Sequence, residues 1–121
     1  MNYGKYFSES EFACRHCGQA RMDQQFLDRV NELRERVGFP LKISSGYRCP
    51  EHPIEAKKSE PGAHTTGMAA DVAVHGALAH SLLAEAMAMG FKGIGVQQKG
   101  TGRFIHLDDW ENPNRPTVWS Y

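Results

Sequence analysis

The chain has no excess of either charge. Fourteen Lys and Arg residues balance fourteen Asp and Glu residues, for a formal net charge of zero, which gives no sign of a nucleic-acid or membrane-surface partner. The local run Arg29, Arg34 and Arg36 alternates with Asp28, Glu32 and Glu35 and reads as a solvated helix face. No apolar stretch is long enough to span a bilayer. The opening residues 1–7 lack the apolar core of a signal peptide, so the expectation is a protein that stays in the cytoplasm that makes it unless something else carries it out. Cysteine is scarce. Three residues, an odd number with no secretion signal, argue against a disulfide scaffold. Internal repeats, linkers and low-complexity segments are also missing. The 121 residues suffice for one hydrophobic core and not for two, so a single domain over 1–121 is expected, as a monomer.

What is present is ordinary globular material, 40% apolar and 23% charged. Ser8 and Glu11 fit a capping box, so a short helix is expected to start there. Asp23 is placed to cap the next helix. Phe26, Leu27, Val30, Leu33 and Val37 then recur at helical spacing, and Gly38 follows as a stop. A short strand is expected over 41–44. Residues 46–62 read as loop, with Pro50, Pro53 and Pro61 as breakers. Residues 68–74 are apolar around Asp71 and suit a buried strand. An Ala-, Leu- and Met-rich helix over 77–89 ends at Gly90, with Met87 and Met89 assigned to the core. Strands over 91–97 and 103–107 are joined by a turn at 99–102, and a last edge strand is expected over 118–121. Early helices followed by mostly antiparallel strands point to the α+β class.

The most informative segment is Gly62-Ala63-His64-Thr65-Thr66-Gly67-Met68-Ala69-Ala70-Asp71. If His64 closes a loop and Asp71 sits in a strand, Gly67 lets the chain turn between them, so that both side chains aim at one spot. His106 lies in a second strand candidate, Phe104-Ile105-His106-Leu107-Asp108. Two imidazoles and a carboxylate suit Zn²⁺, and three protein ligands leave a fourth position for water, the pattern of a catalytic site. The competing reading is a set of satisfied histidines and an Asp bonded to backbone amides.

Three blocks in order, Ser45-Gly46-Tyr47-Arg48, then His64-x-x-Gly67-x-Ala69-x-Asp71, then His106-x-Asp108, make the chain resemble the D-Ala-D-Ala carboxypeptidase-like zinc peptidases. These include small phage and bacterial peptidoglycan peptidases, and their zinc fold is shared with the hedgehog signalling domain. The likeness runs from about Phe7 to the C-terminus. It implies that His64, Asp71 and His106 bind zinc and that Arg48 holds a substrate carboxylate. A fork-shaped cation suits that task, although a structural salt bridge would explain Arg48 as well. The implied activity is hydrolysis of a peptide bond in peptidoglycan stem peptides, as in an endolysin of phage or prophage type acting on the cell wall after release. Two other readings remain open: an inactive zinc-binding recognition domain, and a structural module of a phage tail.

The chain departs from the family pattern in two places. Gly62 replaces a serine often found two residues before the first zinc histidine. More seriously, residues 91–105 contain no Asp or Glu, where many members carry the catalytic acid, and Arg103 stands three residues before His106. A zinc hydrolase needs a proton acceptor and a proton donor. Asp108, two residues past His106 on the same face of a strand, is assigned either that role or the orientation of His106, while Asp109 would point away.

Cys14-Arg15-His16-Cys17 offers half of a structural zinc site, and Cys49-Pro50-Glu51-His52 would supply the rest as three Cys and one His. Buried thiols and a Cys14–Cys17 redox pair are the alternatives. A similar Cys-x-x-Cys-Gly recurs among sequences of the resembling type, which implies a structural purpose. His16, His75 and His80 have no evident partner. Trp110, Trp119 and Tyr121 either pack the sheet or line a cleft, with core packing favoured, and Tyr47 is ambiguous on the same grounds.

Overall fold

The computed structural model describes residues 1–60 and 62–121. Pro61, expected as a breaker, lies outside the described residues. Helix α1 (Glu9–Phe12) opens on the expected capping box, with the Glu11 carboxylate accepting from the Ser8 N–H at 2.7 Å. Helix α2 (Gln24–Val37) is capped by Asp23, whose carboxylate accepts from the Phe26 N–H at 2.9 Å, and it stops at Gly38 in the left-handed region. Its apolar stripe of Phe26, Leu27, Val30 and Leu33 is fully buried. Arg29 departs from the expected solvated face. It pairs with Asp109 at 2.7 Å and lies over the Phe91 ring, because that side of α2 faces the chain rather than solvent.

Strand β1 (Lys42–Ser45) is followed by helix α3 (Pro53–Ala56), where a loop was expected. Pro53 starts this helix instead of breaking the chain. Its ring suits the first helical position, and the His52 imidazole accepts from the Ile54 N–H at 3.1 Å. A 3-10 turn (Ala63–Thr66) leads through Gly67 into β2 (Ala69–Ala73). Helix α4 (Gly76–Met89) buries Ala79, Leu82 and Ala86, while Met87 is exposed and not in the core as expected, since it lies off that buried stripe. Strands β3 (Gly93–Gln97), β4 (Phe104–Asp108) and β5 (Thr117–Ser120) complete a five-stranded sheet in the order β1-β2-β4-β3-β5. All pairs are antiparallel except β3 with β5. The α+β class is as expected. Among the described residues no helix is long and apolar enough to cross a membrane.

Strand alternation divides the sheet into two faces. Ala70, Val72, Ile94, Ile105 and Leu107 face the core, where they meet Leu33 of α2 and Leu82 of α4. Asp71, His106 and Asp108 take the other face. That face is also buried, so the strands carry acids and imidazoles at positions that look apolar from their neighbours.

Gly67 is needed for this layout. It sits at φ +76°, and an added Cβ would run into the backbone carbonyl of Arg21. Gly67→Ala is expected to cost at least about 2 kcal/mol, from the left-handed conformation and the backbone clash together. Urea unfolding of the metal-free protein measures this, and an unchanged midpoint would show that the turn tolerates a side chain.

Candidate metal centre

The sheet register builds the centre. Asp71 on β2 stands directly across from His106 on β4, and the same transverse row continues from Ser45 on β1 through Gly95 on β3 to Trp119 on β5. Gly95 carries no side chain, and a Cβ there would lie 2.6 Å from Trp119 Nε1, so the indole occupies the space and its ring stands 5.1 Å from that of His106. In the next row Gly93 faces Asp108, whose carboxylate fills the space a Cβ would need. Glycines on β3 thus leave room for the side chains that surround His106.

His64 reaches the same point from the 3-10 turn. Its Nδ1 donates to the Gly46 carbonyl at 2.7 Å, and its own carbonyl accepts from the Arg48 N–H at 3.2 Å. His106 Nε2 meets Asp108 Oδ2 at 2.6 Å. In the neutral imidazoles these bonds place the protons on His64 Nδ1 and His106 Nε2. The lone pairs of His64 Nε2 and His106 Nδ1 then both face Asp71 Oδ1. The three atoms form a triangle with edges of 3.2, 3.2 and 3.0 Å. Tetrahedral ligands held about 2.0–2.1 Å from zinc stand roughly 3.3–3.4 Å apart, so the triangle is close to zinc size. Three buried lone pairs without a proton between them repel one another, and a cation removes the repulsion. The donor set and spacing therefore fit Zn²⁺, and these residues form one of two groups in the described chain able to hold a metal.

The charges follow from the same contacts. Burial would raise the Asp71 pKa, but the His106 and His64 imidazoles outweigh it and hold the carboxyl well below its usual range. Burial would lower the pKa of His106, yet the Asp108 and Asp71 carboxylates outweigh it and raise it. Burial likewise works against the Asp108 carboxylate, while hydrogen bonds from His106 and Arg115 bring its pKa down to about 2.

Asp108 is 0% exposed and fully engaged. Besides His106 it accepts from Arg115 Nε at 3.0 Å, Arg115 Nη2 at 2.8 Å and the Trp110 N–H at 3.2 Å. Arg115 in turn lies 4.9 Å from the Trp119 ring centroid and 5.2 Å from that of Trp110. Arg48 spans two acids, with Nη2 3.4 Å from Asp71 Oδ2 and Nη1 3.3 Å from Glu55 Oε2. Glu55 is buried and also receives Lys58 Nζ and the Gly62 N–H.

A cavity of about 580 Å³ opens over His64, Asp71 and His106. Arg48, Lys58 and Arg115 bring positive charge to its wall, and Phe104, Trp110, Trp119 and Tyr121 bring aromatic surface. For Trp110, Trp119 and Tyr121 the sequence favours core packing over lining a cleft, and the cleft is where they stand. Trp119 and Tyr121 reach the cavity from the edge strand β5 and its end, Phe104 from the start of β4 and Trp110 from the loop after it. Asp71 is the sole carboxylate among the described residues of the wall, and Asp108 is not part of it.

The cysteines form the second metal-capable group, with the Cys14, Cys17 and Cys49 sulphurs within 4.8 Å of one another. His52, expected as their fourth partner, accepts the Ile54 N–H on Nδ1 at the start of α3, and its ring lies 6.3 Å from that of His16. His16, expected to have no partner, lies beside the thiols, with Nδ1 3.5 Å from Cys49 Sγ. The hydrogen-bonded turn at 14–17 sets His16, itself exposed, beside the thiols, a placement with no signature in residue spacing. Arg115 and Glu55 were also missed. Each meets a partner seven residues away, Arg115 with Asp108 and Glu55 with Arg48, across segments that show no periodicity.

No curated protein matches the chain. The model of the Peptidase M15 family matches residues 5–108, which include every element from α1 to β4 and all of His64, Asp71 and His106. On that match the resemblance carried by the three sequence blocks holds, and the chain belongs to the Peptidase M15 family.

Proposed function

We propose that this protein is a zinc-dependent peptidase that cleaves a peptide bond in bacterial cell-wall stem peptides. The observation that carries the reading is the near-equilateral triangle of His64 Nε2, Asp71 Oδ1 and His106 Nδ1 at the floor of an open cavity. When bound there, zinc supplies a Lewis acid for the scissile carbonyl and lowers the pKa of the attacking water. The Gly46 carbonyl and Asp108 fix the tautomers of His64 and His106 so that the ligating nitrogens stay unprotonated. Of the two roles open to Asp108, its saturated contacts favour orienting His106 over accepting a proton from water. Arg48 steadies Asp71, and with Lys58 it offers positive charge to a substrate carboxylate. The aromatic wall limits the access of bulk water and suits the apolar parts of a short peptide.

The test is to incubate the zinc-loaded protein with purified peptidoglycan and with synthetic stem peptides, and to follow new amino groups by mass spectrometry. Cleavage of one defined bond, abolished by chelation and restored by zinc, is the expected result. If another zinc-dependent peptide substrate is cleaved and stem peptides are not, the substrate assignment falls. Arg48→Ala is expected to raise KM about tenfold or more, as for loss of a charged hydrogen bond, and to affect kcat less. A fall confined to kcat would remove Arg48 from carboxylate binding.

A second reading, a zinc-binding domain that recognises the cell wall without cleaving it, is favoured by one feature. Asp71 alone among the described wall residues is a carboxylate, and a metal ligand is poorly placed to accept a proton as well. Saturable binding of stem peptides with no new amines would decide for it.

A further inference from the structure

The cysteine cluster has no part in the proposed chemistry, and its geometry is that of a built site. We infer that Cys14, Cys17 and Cys49, with His16 as fourth ligand, hold a second zinc ion that clamps the turn after α1 to the segment carrying Arg48. This does not rest on the reading of the His64 centre.

Three observations carry it. First, residues distant in the chain bring their sulphurs together, all within 4.8 Å, with Cys14 and Cys49 buried and Cys17 exposed. Thiolates bound at Zn–S of about 2.3 Å stand roughly 3.8 Å apart in a tetrahedron, so small shifts complete the site. Second, the backbone is shaped for it. Gly18, at φ +77°, donates its N–H to the Cys14 carbonyl at 2.8 Å, and the Cys14 N–H donates to the Gln19 carbonyl at 2.7 Å, which folds Cys17 back beside Cys14. The N–H groups of His16 and Cys49 both point at Cys14 Sγ from 3.4 Å, and such donors favour a thiolate. Third, His16 Nδ1 lies 3.5 Å from Cys49 Sγ, against about 3.6 Å for a nitrogen and a sulphur on one tetrahedral zinc. A disulfide would use two of the sulphurs and leave the third unexplained.

Four protein ligands make a closed, structural site. On binding, each thiol releases its proton to solvent and no electron is transferred. The clamp lies next to the cavity. The Tyr47 N–H donates to the Phe12 carbonyl and the Arg48 N–H to the His64 carbonyl, so tying Cys49 to Cys14 and Cys17 fixes the segment that presents Arg48.

The test counts zinc by native mass spectrometry in wild type, Cys17→Ser, Cys49→Ser and His106→Ala, all expressed with zinc. Wild type is expected to hold two ions, and Cys17→Ser and His106→Ala one each. Cys17 is exposed, so its variant keeps the core and remains informative if Cys49→Ser fails to fold. Cobalt-loaded wild type and His106→Ala should show a sulphur-to-cobalt charge-transfer band that Cys17→Ser lacks. His16→Ala is expected to weaken this ion more than about tenfold, with His52→Ala unchanged; the reverse would overturn the His16 assignment. A single zinc that disappears in His106→Ala, or a native chain lighter by two hydrogen atoms and therefore disulfide-bonded, would overturn the site while leaving the His64 centre standing.

Discussion

His106→Ala is expected to empty the His64 centre and abolish peptide hydrolysis. The variant removes one corner of a triangle whose edges are 3.0–3.2 Å, leaving one imidazole and one carboxylate. Loss of a residue that merely supports a ligand costs 10–100-fold in metal affinity, so loss of the ligand itself should exceed about 100-fold. Competition titration against a chelator of known affinity measures it. Turnover should fall to background with far-UV circular dichroism unchanged. Asp71→Asn provides an independent check, because it keeps the size of the side chain while removing the charge that balances the cation. Acid should act in the same direction as the mutations. Metal binding requires both imidazoles unprotonated at the ligating nitrogens, and the pKa of His106 is raised in the metal-free protein, so affinity should fall as pH drops into and below the range in which His106 gains its proton. A His106→Ala protein that retained tight zinc at this centre and full activity would overturn the proposed ligand set.

Asp108→Asn is expected to produce the second largest effect, on stability and metal affinity together. Arg115 is mostly buried, with its side chain 11% exposed, and its charge is balanced by the Asp108 carboxylate. Removing one partner of a buried ion pair leaves the other uncompensated, at a cost of about 3–5 kcal/mol. His106 loses its strongest acceptor at the same time, so zinc affinity should drop about 10–100-fold. The acid response gives a further check. The Asp108 pKa lies at about 2 in the folded protein against an ordinary 3.8. A depressed folded pKa means that its stabilising contribution is complete above the unfolded value and is lost as pH falls from about 4 toward 2. The metal-free wild type should therefore lose stability more steeply over that window than Asp108→Asn, whose side chain does not titrate. The same variant separates the two roles considered for this residue. If Asp108 orients His106, zinc affinity falls with activity. If it accepts the proton from water, kcat falls while zinc affinity remains.

Local chemistry determined a large part of this molecule from sequence. Ser8 with Glu11, Asp23 and Gly38 placed the helix ends because caps depend on a few adjacent groups. The strands around Asp71 and His106 were legible because alternation has a fixed period and their neighbours are apolar. The three motif blocks pointed to His64, Asp71 and His106, and their order pointed to the family. Tertiary structure decided what those residues touch. Sheet register set Asp71 opposite His106, and a slip of one residue would have turned one of them into the core. The bare glycines on β3 made space for Asp108 and Trp119, and a contact of this kind depends on which strand becomes a neighbour. Arg115 found Asp108 from a loop, and Glu55 found Arg48 from the short helix α3, with no periodicity to announce either contact. His16 stands 3.5 Å from Cys49 Sγ because the chain reverses at the turn over 14–17, which distance along the chain does not encode, while His52 uses Nδ1 at the start of α3. Spacing repeats along one segment and can be read there, whereas pairing between segments exists only after the chain has closed on itself.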